Sequence, residues 1–234
     1  MTFAQTHSRL RRSLASVLLA VLVAVGVAAC GGGSSSGNGI AGKPAASIAV
    51  AAGKALNNAK TVHVSGTVHS GGQTIAVDMS VVSGKGARGT MTLAGHPVQV
   101  VTVGPKLYVK AGTAFWQHYA GSLGSLVAGK WLEVATATTG ASSFAGLLNL
   151  HAVVGRLLAQ ATGNRGLTKG KQTTINGQNA IAVTQGGNAL YVATSGTAYP
   201  LELLTKAGGH IFLSHYNEAV SLAAPSPVVK FPGA

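Results

Sequence analysis

The sequence predicts an α+β fold: one long, curved antiparallel β-sheet of about ten or eleven strands, with an N-terminal helix and a central helical segment. Three observations predict it. Apolar and polar residues alternate with a period of two through two long stretches, one on either side of residues 114–161. Gly-Gly, Asn-Gly and Ser-Gly pairs punctuate those stretches at strand-length intervals. Residues 44–59 and 142–161 instead gather apolar side chains on one helical face. An open sheet of this width must curl or close, and curling makes a concave face. A hydrophobic fraction of 47% is too high for a disordered chain.

Residues 1–29 read as an export signal. Arg9, Arg11 and Arg12 form a positive start, and an apolar run over Ser13–Val27 follows, short for a membrane span. It ends in Val27-Ala28-Ala29-Cys30, the only Cys of the chain, and Gly31-Gly32-Gly33-Ser34-Ser35-Ser36-Gly37 comes next. Residues 30–43 read as a flexible Gly/Ser tether and 44–234 as a single domain. Within it, Pro44–Ala59 is the first helix, with a small-sided face of Ile48, Ala51, Ala52, Ala55 and Ala59. Val62, Val64 and Val68 begin the strands; after Gly71-Gly72, Ile75, Val77, Met79 and Val81 continue them. Further runs lie at Ala87–Leu93, Pro97–Val103 and Lys106–Lys110. Ala114–Tyr119 is an aromatic knot, and Lys130–Val134 a short extended piece. Ser142–Ala161 is a helix with a wide apolar face. The last strands are Leu167–Ile175, Asn179–Gln185, Asn188–Thr194, Ala198–Lys206 and His210–Asn217, before an extended Pro-rich tail from Ala224.

The composition excludes whole classes of chemistry. Four acidic residues in 234 leave little for paired-carboxylate hydrolysis or carboxylate-rich Ca²⁺ and Mg²⁺ sites. One Cys excludes an internal disulfide and a Cys-rich zinc site. The histidines are scattered: His63 and His69 share a face but sit about 20 Å apart along a strand. No metal and no cofactor is expected. Asp78, Glu133, Glu202 and Glu218 sit in no catalytic motif, so the reading is not an enzyme. Asp78 reads as a solvated strand residue, and Glu133 and Glu202 as members of cross-strand ion pairs. Gly33–Gly37 matches G-x-S-x-G but lies in the tether; Gly84–Gly89 matches G-x-G-x-x-G but joins two strands, with no helix N-terminus to hold a phosphate. Without the signal, 14 basic residues face 4 acidic ones. That surface suits anionic headgroups or lipoglycans, and nothing in it suggests nucleic acid.

Val27-Ala28-Ala29-Cys30 resembles the lipobox of bacterial lipoproteins. The layout behind it resembles the LolA/LolB-like superfamily, and within that the actinobacterial LppX/LprA/LprF/LprG group. The residues that carry the likeness are Thr61-Val62-His63-Val64-Ser65-Gly66, Leu107-Tyr108-Val109-Lys110, Phe115-Trp116, Lys130-Trp131-Leu132-Glu133-Val134, Ile175-Asn176-Gly177-Gln178, Leu190-Tyr191-Val192-Ala193, Tyr199-Pro200-Leu201 and Tyr216-Asn217-Glu218. The lipobox resemblance implies that Cys30 carries a diacylglycerol, holding the protein to the cell membrane on its extracytoplasmic side. The fold resemblance implies an open half-barrel with a helical lid around an apolar cavity that binds or transfers acyl chains of a lipid or lipoglycan. The cavity lining would be Val62, Val64, Val68, Ile75, Val77 and Met79 from the sheet and Leu147, Leu150, Val154 and Leu157 from the helix. Phe115, Trp116 and Trp131 would form a lid or rim contact. The same stripe reads equally as plain core, which leaves a scaffold lipoprotein without cargo as the alternative.

Overall fold

The computed structural model describes residues 37–70, 72–93, 95–134 and 166–230. The signal with Cys30, and the predicted helix with Leu147, Leu150, Val154 and Leu157, lie outside the described residues.

Helix α1 (Ala45–Asn58) begins directly after Pro44, whose backbone sits in the non-helical cap conformation. Its buried stripe is Ile48, Ala49, Ala52, Ala55 and Leu56. The stripe is rotated slightly from the expected one: Ala51 is only half-buried, while Ala49 and Leu56 are sealed. Small side chains on this face let the helix approach the sheet closely. The stretch before it is less free than a tether. Asn38 and Ile40 already belong to the domain, Ile40 being buried in the core beneath α1.

The strands are β1 (Thr61–Ser70), β2 (Gln73–Val82), β3 (Gly86–Leu93), β4 (His96–Val103), β5 (Lys106–Ala111), β6 (Trp131–Val134), β7 (Thr168–Ile175), β8 (Gln178–Gln185), β9 (Asn188–Ala193), β10 (Pro200–Leu204), β11 (His210–Ser214) and β12 (Val228–Lys230). All belong to one sheet in the order β12-β6-β5-β4-β3-β2-β1-β11-β10-β9-β8-β7. It is two antiparallel meanders joined where β11 returns to β1, with His63 opposite Ser214 and Thr67 opposite His210. The sheet is open, a curved half-barrel with β12 and β7 at its edges. Among the described residues it has twelve strands, where ten or eleven were expected. The additional one is β12, from the extended tail, which pairs parallel with β6. Edge strand β7 carries Lys169 and Lys171 with a bulge between Lys169 and Gln172, features that discourage edge-to-edge pairing.

Gly66 stands at the seam between the two meanders. It has φ +137°, and a Cβ there would lie 2.0 Å from the His210 carbonyl oxygen. Only glycine permits β1 and β11 to meet at this point. Beyond β11 the chain is tied back across the sheet. Asn217 N–H donates to Thr61 O and Asn217 Oδ1 accepts from Lys60 N–H, at 3.0 and 2.8 Å. Arg88 donates to Ser221 O at 3.0 Å, and β12 then joins β6.

The aromatic knot is a helix. Short α2 (Thr113–Ala120) and the single turn α3 (Gly124–Val127) fill the connection between β5 and β6. The inner face of the sheet therefore carries two cores. Under α1, Ile48, Ala52 and Leu56 pack on Val62, Val64, Ile181, Val192, Leu203, Ile211 and Leu213. Under α2 and α3, Phe115, Trp116 and Val127 pack on Met79, Met91, Val98, Val100, Leu107, Val109 and Leu132.

Candidate ligand-binding site

Cross-strand register decides which predicted lining residues share a surface. Val64 lies opposite Met79, Gly66 opposite Val77, and Val68 opposite Ile75. With Val62, opposite Val81, all six sheet residues fall on the inner face. Their burial then divides them. Val62 and Val64 are sealed in the core under α1, and Met79 in the core under α2. Val68, Ile75 and Val77 are half-buried. Val77 and Val81 touch both cores, Val68 the first, and Ile75 and Leu93 the second. These five make an apolar strip along β1 to β3 between the two helical caps. Val81 and Leu93 were not among the predicted lining, although the same alternation points to them.

The rim residues divide as well. Phe115 and Trp116 sit together under α2, ring centroids 5.0 Å apart and edge-on at 83°. Phe115 also meets Tyr119 at 4.6 Å. Glycine brings α3 against α2: a Cβ at Gly124 would lie 2.5 Å from the Trp116 carbonyl carbon. Trp131 is on the other face, because Leu132 beside it points into the core and strand side chains alternate. Lys110 Nζ lies 6.0 Å from the Trp131 ring. On the outside of the helical cap, Tyr119 and Leu126 are 54% and 65% exposed.

The chain reaches the domain at one pole of the sheet. Asn38 N–H donates to Thr194 O at 2.8 Å, and its side-chain amide donates to Ala193 O and Gly196 O at 3.0 and 3.1 Å. The start of β1 and the Asn176-Gly177 turn lie at the same pole, since neighbouring strands run antiparallel.

No protein-family model matches this chain, and no curated protein matches it. Solved structures do. LprF from Mycobacterium bovis superposes with a TM-score of 0.55 at 15% identity, over 77% of this chain and 96% of that one. The Mycobacterium tuberculosis lipoprotein LppX superposes with a TM-score of 0.51 at 14% identity, over 76% and 98%. At the level of fold, this chain is LppX/LprF-like. Among the described residues, no helix is long and apolar enough to cross a membrane.

The outer face of this LppX/LprF-like sheet holds the polar groups. His63, Ser80 and Asp78 converge there, a cluster that sequence reading missed because it forms across strands: His63 is directly opposite Ser80, and Asp78 is the diagonal neighbour. His63 Nδ1 lies 3.4 Å from Ser80 Oγ and Nε2 lies 3.5 Å from Asp78 Oδ1. The His215 ring is 5.6 Å from that of His63. A Ser-His-Asp catalytic unit needs a buried acid that fixes the imidazole. Here both contacts are long and the Asp78 side chain is 73% exposed, so the cluster is a solvated hydrogen-bonded group. Glu133 forms a cross-strand ion pair, and Glu202 a cross-strand hydrogen-bond contact with a histidine. Glu133 meets Lys106 at 3.2 Å and, by its hydrogen bond and charge, raises the Lys106 pKa. Glu202, with its side chain only 9% exposed, meets His210 Nδ1 at 2.7 Å.

Proposed function

We propose that this protein is an extracytoplasmic lipoprotein, anchored to the cell membrane through Cys30, that binds or transfers the acyl chains of a lipid or lipoglycan without covalent chemistry. Residues 1–29 are then a signal that is removed, and the domain is held by the segment after Cys30. The observation that carries the reading is the half-buried apolar strip of Val68, Ile75, Val77, Val81 and Leu93 between two separate cores, in an LppX/LprF-like sheet. Such a site works by area burial. At about 25 cal/mol per Å², covering a 16-carbon chain supplies several kcal/mol. Neither a cofactor nor a catalytic group takes part.

The 14 basic residues of the mature chain suit an anionic membrane surface.

A second reading, a scaffold lipoprotein without cargo, is favoured by the sealing of Val62, Val64 and Met79 in packed cores. Organic extraction and mass spectrometry of protein purified from a native-like host separates the two. A stoichiometric acyl lipid supports the carrier, and Ile75→Trp, which narrows the strip, then lowers the amount recovered. An empty extract together with no uptake of a fluorescent fatty acid leaves the scaffold. Cys30→Ala tests the anchor by moving the protein from the membrane fraction to the soluble one.

A further inference from the structure

Trp116 is 9% exposed, and its Nε1 is buried with no hydrogen-bond partner among the described residues. Buried tryptophans normally satisfy their N–H, and a buried donor without an acceptor bears the full desolvation of the group. The hydrophobic residues that share its core are Val, Leu, Ala, Phe and Met, and of these only the thioether sulfurs of Met79 and Met91 accept, weakly. The same core borders the apolar strip through Ile75, Val77 and Leu93. Met79 and Met91 are its unbranched members, able to repack around an incoming group.

We propose that the indole N–H of Trp116 is the polar anchor of the acyl-chain site and donates a hydrogen bond to the ester carbonyl of the bound lipid. The inference rests on the carrier reading and deepens it, assigning the cargo to ester-linked acyl chains and fixing their depth in the sheet. An ester carbonyl is a strong acceptor at the head of an otherwise apolar chain. Placed at Trp116, it leaves the hydrocarbon on the strip of β1 to β3. A dry apolar site otherwise holds an acyl chain in any register, and one buried donor selects one register.

The test compares two lipids that differ only at the linkage, dipalmitoyl phosphatidylglycerol and its dihexadecyl ether analogue. Each is added to the mature chain from Cys30 onward, labelled with ¹⁵N. The chain has two tryptophans, so Trp131→Phe assigns the indole resonances. The expected result is a downfield shift of the Trp116 N–H with the ester lipid and a much smaller one with the ether. Trp116→Phe then weakens ester binding about three- to tenfold and leaves ether binding unchanged. If both lipids bind equally and the Trp116 resonance does not distinguish them, an enclosed water or a rearranged neighbour satisfies the indole, and the inference is overturned while the carrier reading stands. If neither lipid binds, and fatty acid is not taken up either, the carrier reading itself fails.

Discussion

The two halves of the inner face solve the same burial problem with different materials. Under α1 the core is aliphatic and sealed: a four-turn helix lays Ile48, Ala49, Ala52 and Leu56 on five strands and leaves no buried side-chain N or O atom unpaired among the described residues. Under α2 and α3 the cover is a short helix and a single turn. Its core mixes two methionines, a phenylalanine and a tryptophan, and its outer surface exposes Tyr119 and Leu126. Close-packed aliphatic cores resist deformation, whereas methionine-rich ones adapt. The difference teaches where to look for function. On the carrier reading proposed above, the α1 half is the frame and the α2 half, with an orphaned indole and adaptable side chains, takes the guest.

Breaking the seam between the halves has the largest expected effect. Gly66→Ala places a Cβ 2.0 Å from the His210 oxygen in a backbone conformation that disfavours L side chains. It is expected to cost more than about 4 kcal/mol, read as loss of cooperative unfolding in urea. Next comes the frame. Ile48→Ala empties a fully buried site and costs about 2–5 kcal/mol. Met91→Ala makes the same kind of cavity at a buried site in the other half and falls at the low end of that range, because the adaptable core collapses around it. Equal penalties in matched denaturation curves would erase the contrast between frame and adaptable half.

A smaller effect is visible only at alkaline pH. Tyr216 packs against the α1 core, stacks on Tyr199 at 3.9 Å and donates to Pro200 O at 2.6 Å. Burial, with a lesser contribution from Tyr199, keeps its phenol protonated far above the ordinary value of 10.0. Below pH 10 both folded and unfolded chains hold this proton and nothing changes. Above it the unfolded chain releases the proton and the folded chain does not, so stability falls by up to about 1.4 kcal/mol per pH unit. Tyr216→Phe removes that slope while losing one hydrogen bond at neutral pH. The smallest effects belong to the exposed apolar residues. Val50→Ser on α1 and Leu126→Ser on α3 both shift stability by less than about 0.5 kcal/mol. A slowing of lipid transfer by Leu126→Ser alone would place the working surface on the α2 and α3 cap.

Much of the fold was legible because strand chemistry is local. The alternation at Val62, Val64, Ile75, Val77 and Met79 named the inner face, and Asn176-Gly177 named a hairpin that the structure contains between β7 and β8. Other features were not legible. Phe115, Trp116 and Tyr119 are strand-prone residues, and a helix of eight residues is not stable by itself, so packing on the sheet makes α2 a helix. Trp131 was grouped with Phe115 and Trp116 by sequence proximity and composition, but strand parity sends it to the opposite face. The cluster of His63, Ser80 and Asp78 required the register of two strands, which no single segment states.

From the sequence alone came the first helix, most of the strands and their faces, the scarcity of acids and the likeness to exported lipoproteins, because each depends on residue type and short-range period. Tertiary structure alone decided that β11 closes on β1 through Gly66, that the tail becomes β12 beside β6, and that one apolar stripe divides into two cores with a strip between them. Those outcomes depend on contacts between residues far apart in the chain. Their ordering entropy is repaid only when the whole sheet forms, so no local pattern announces them.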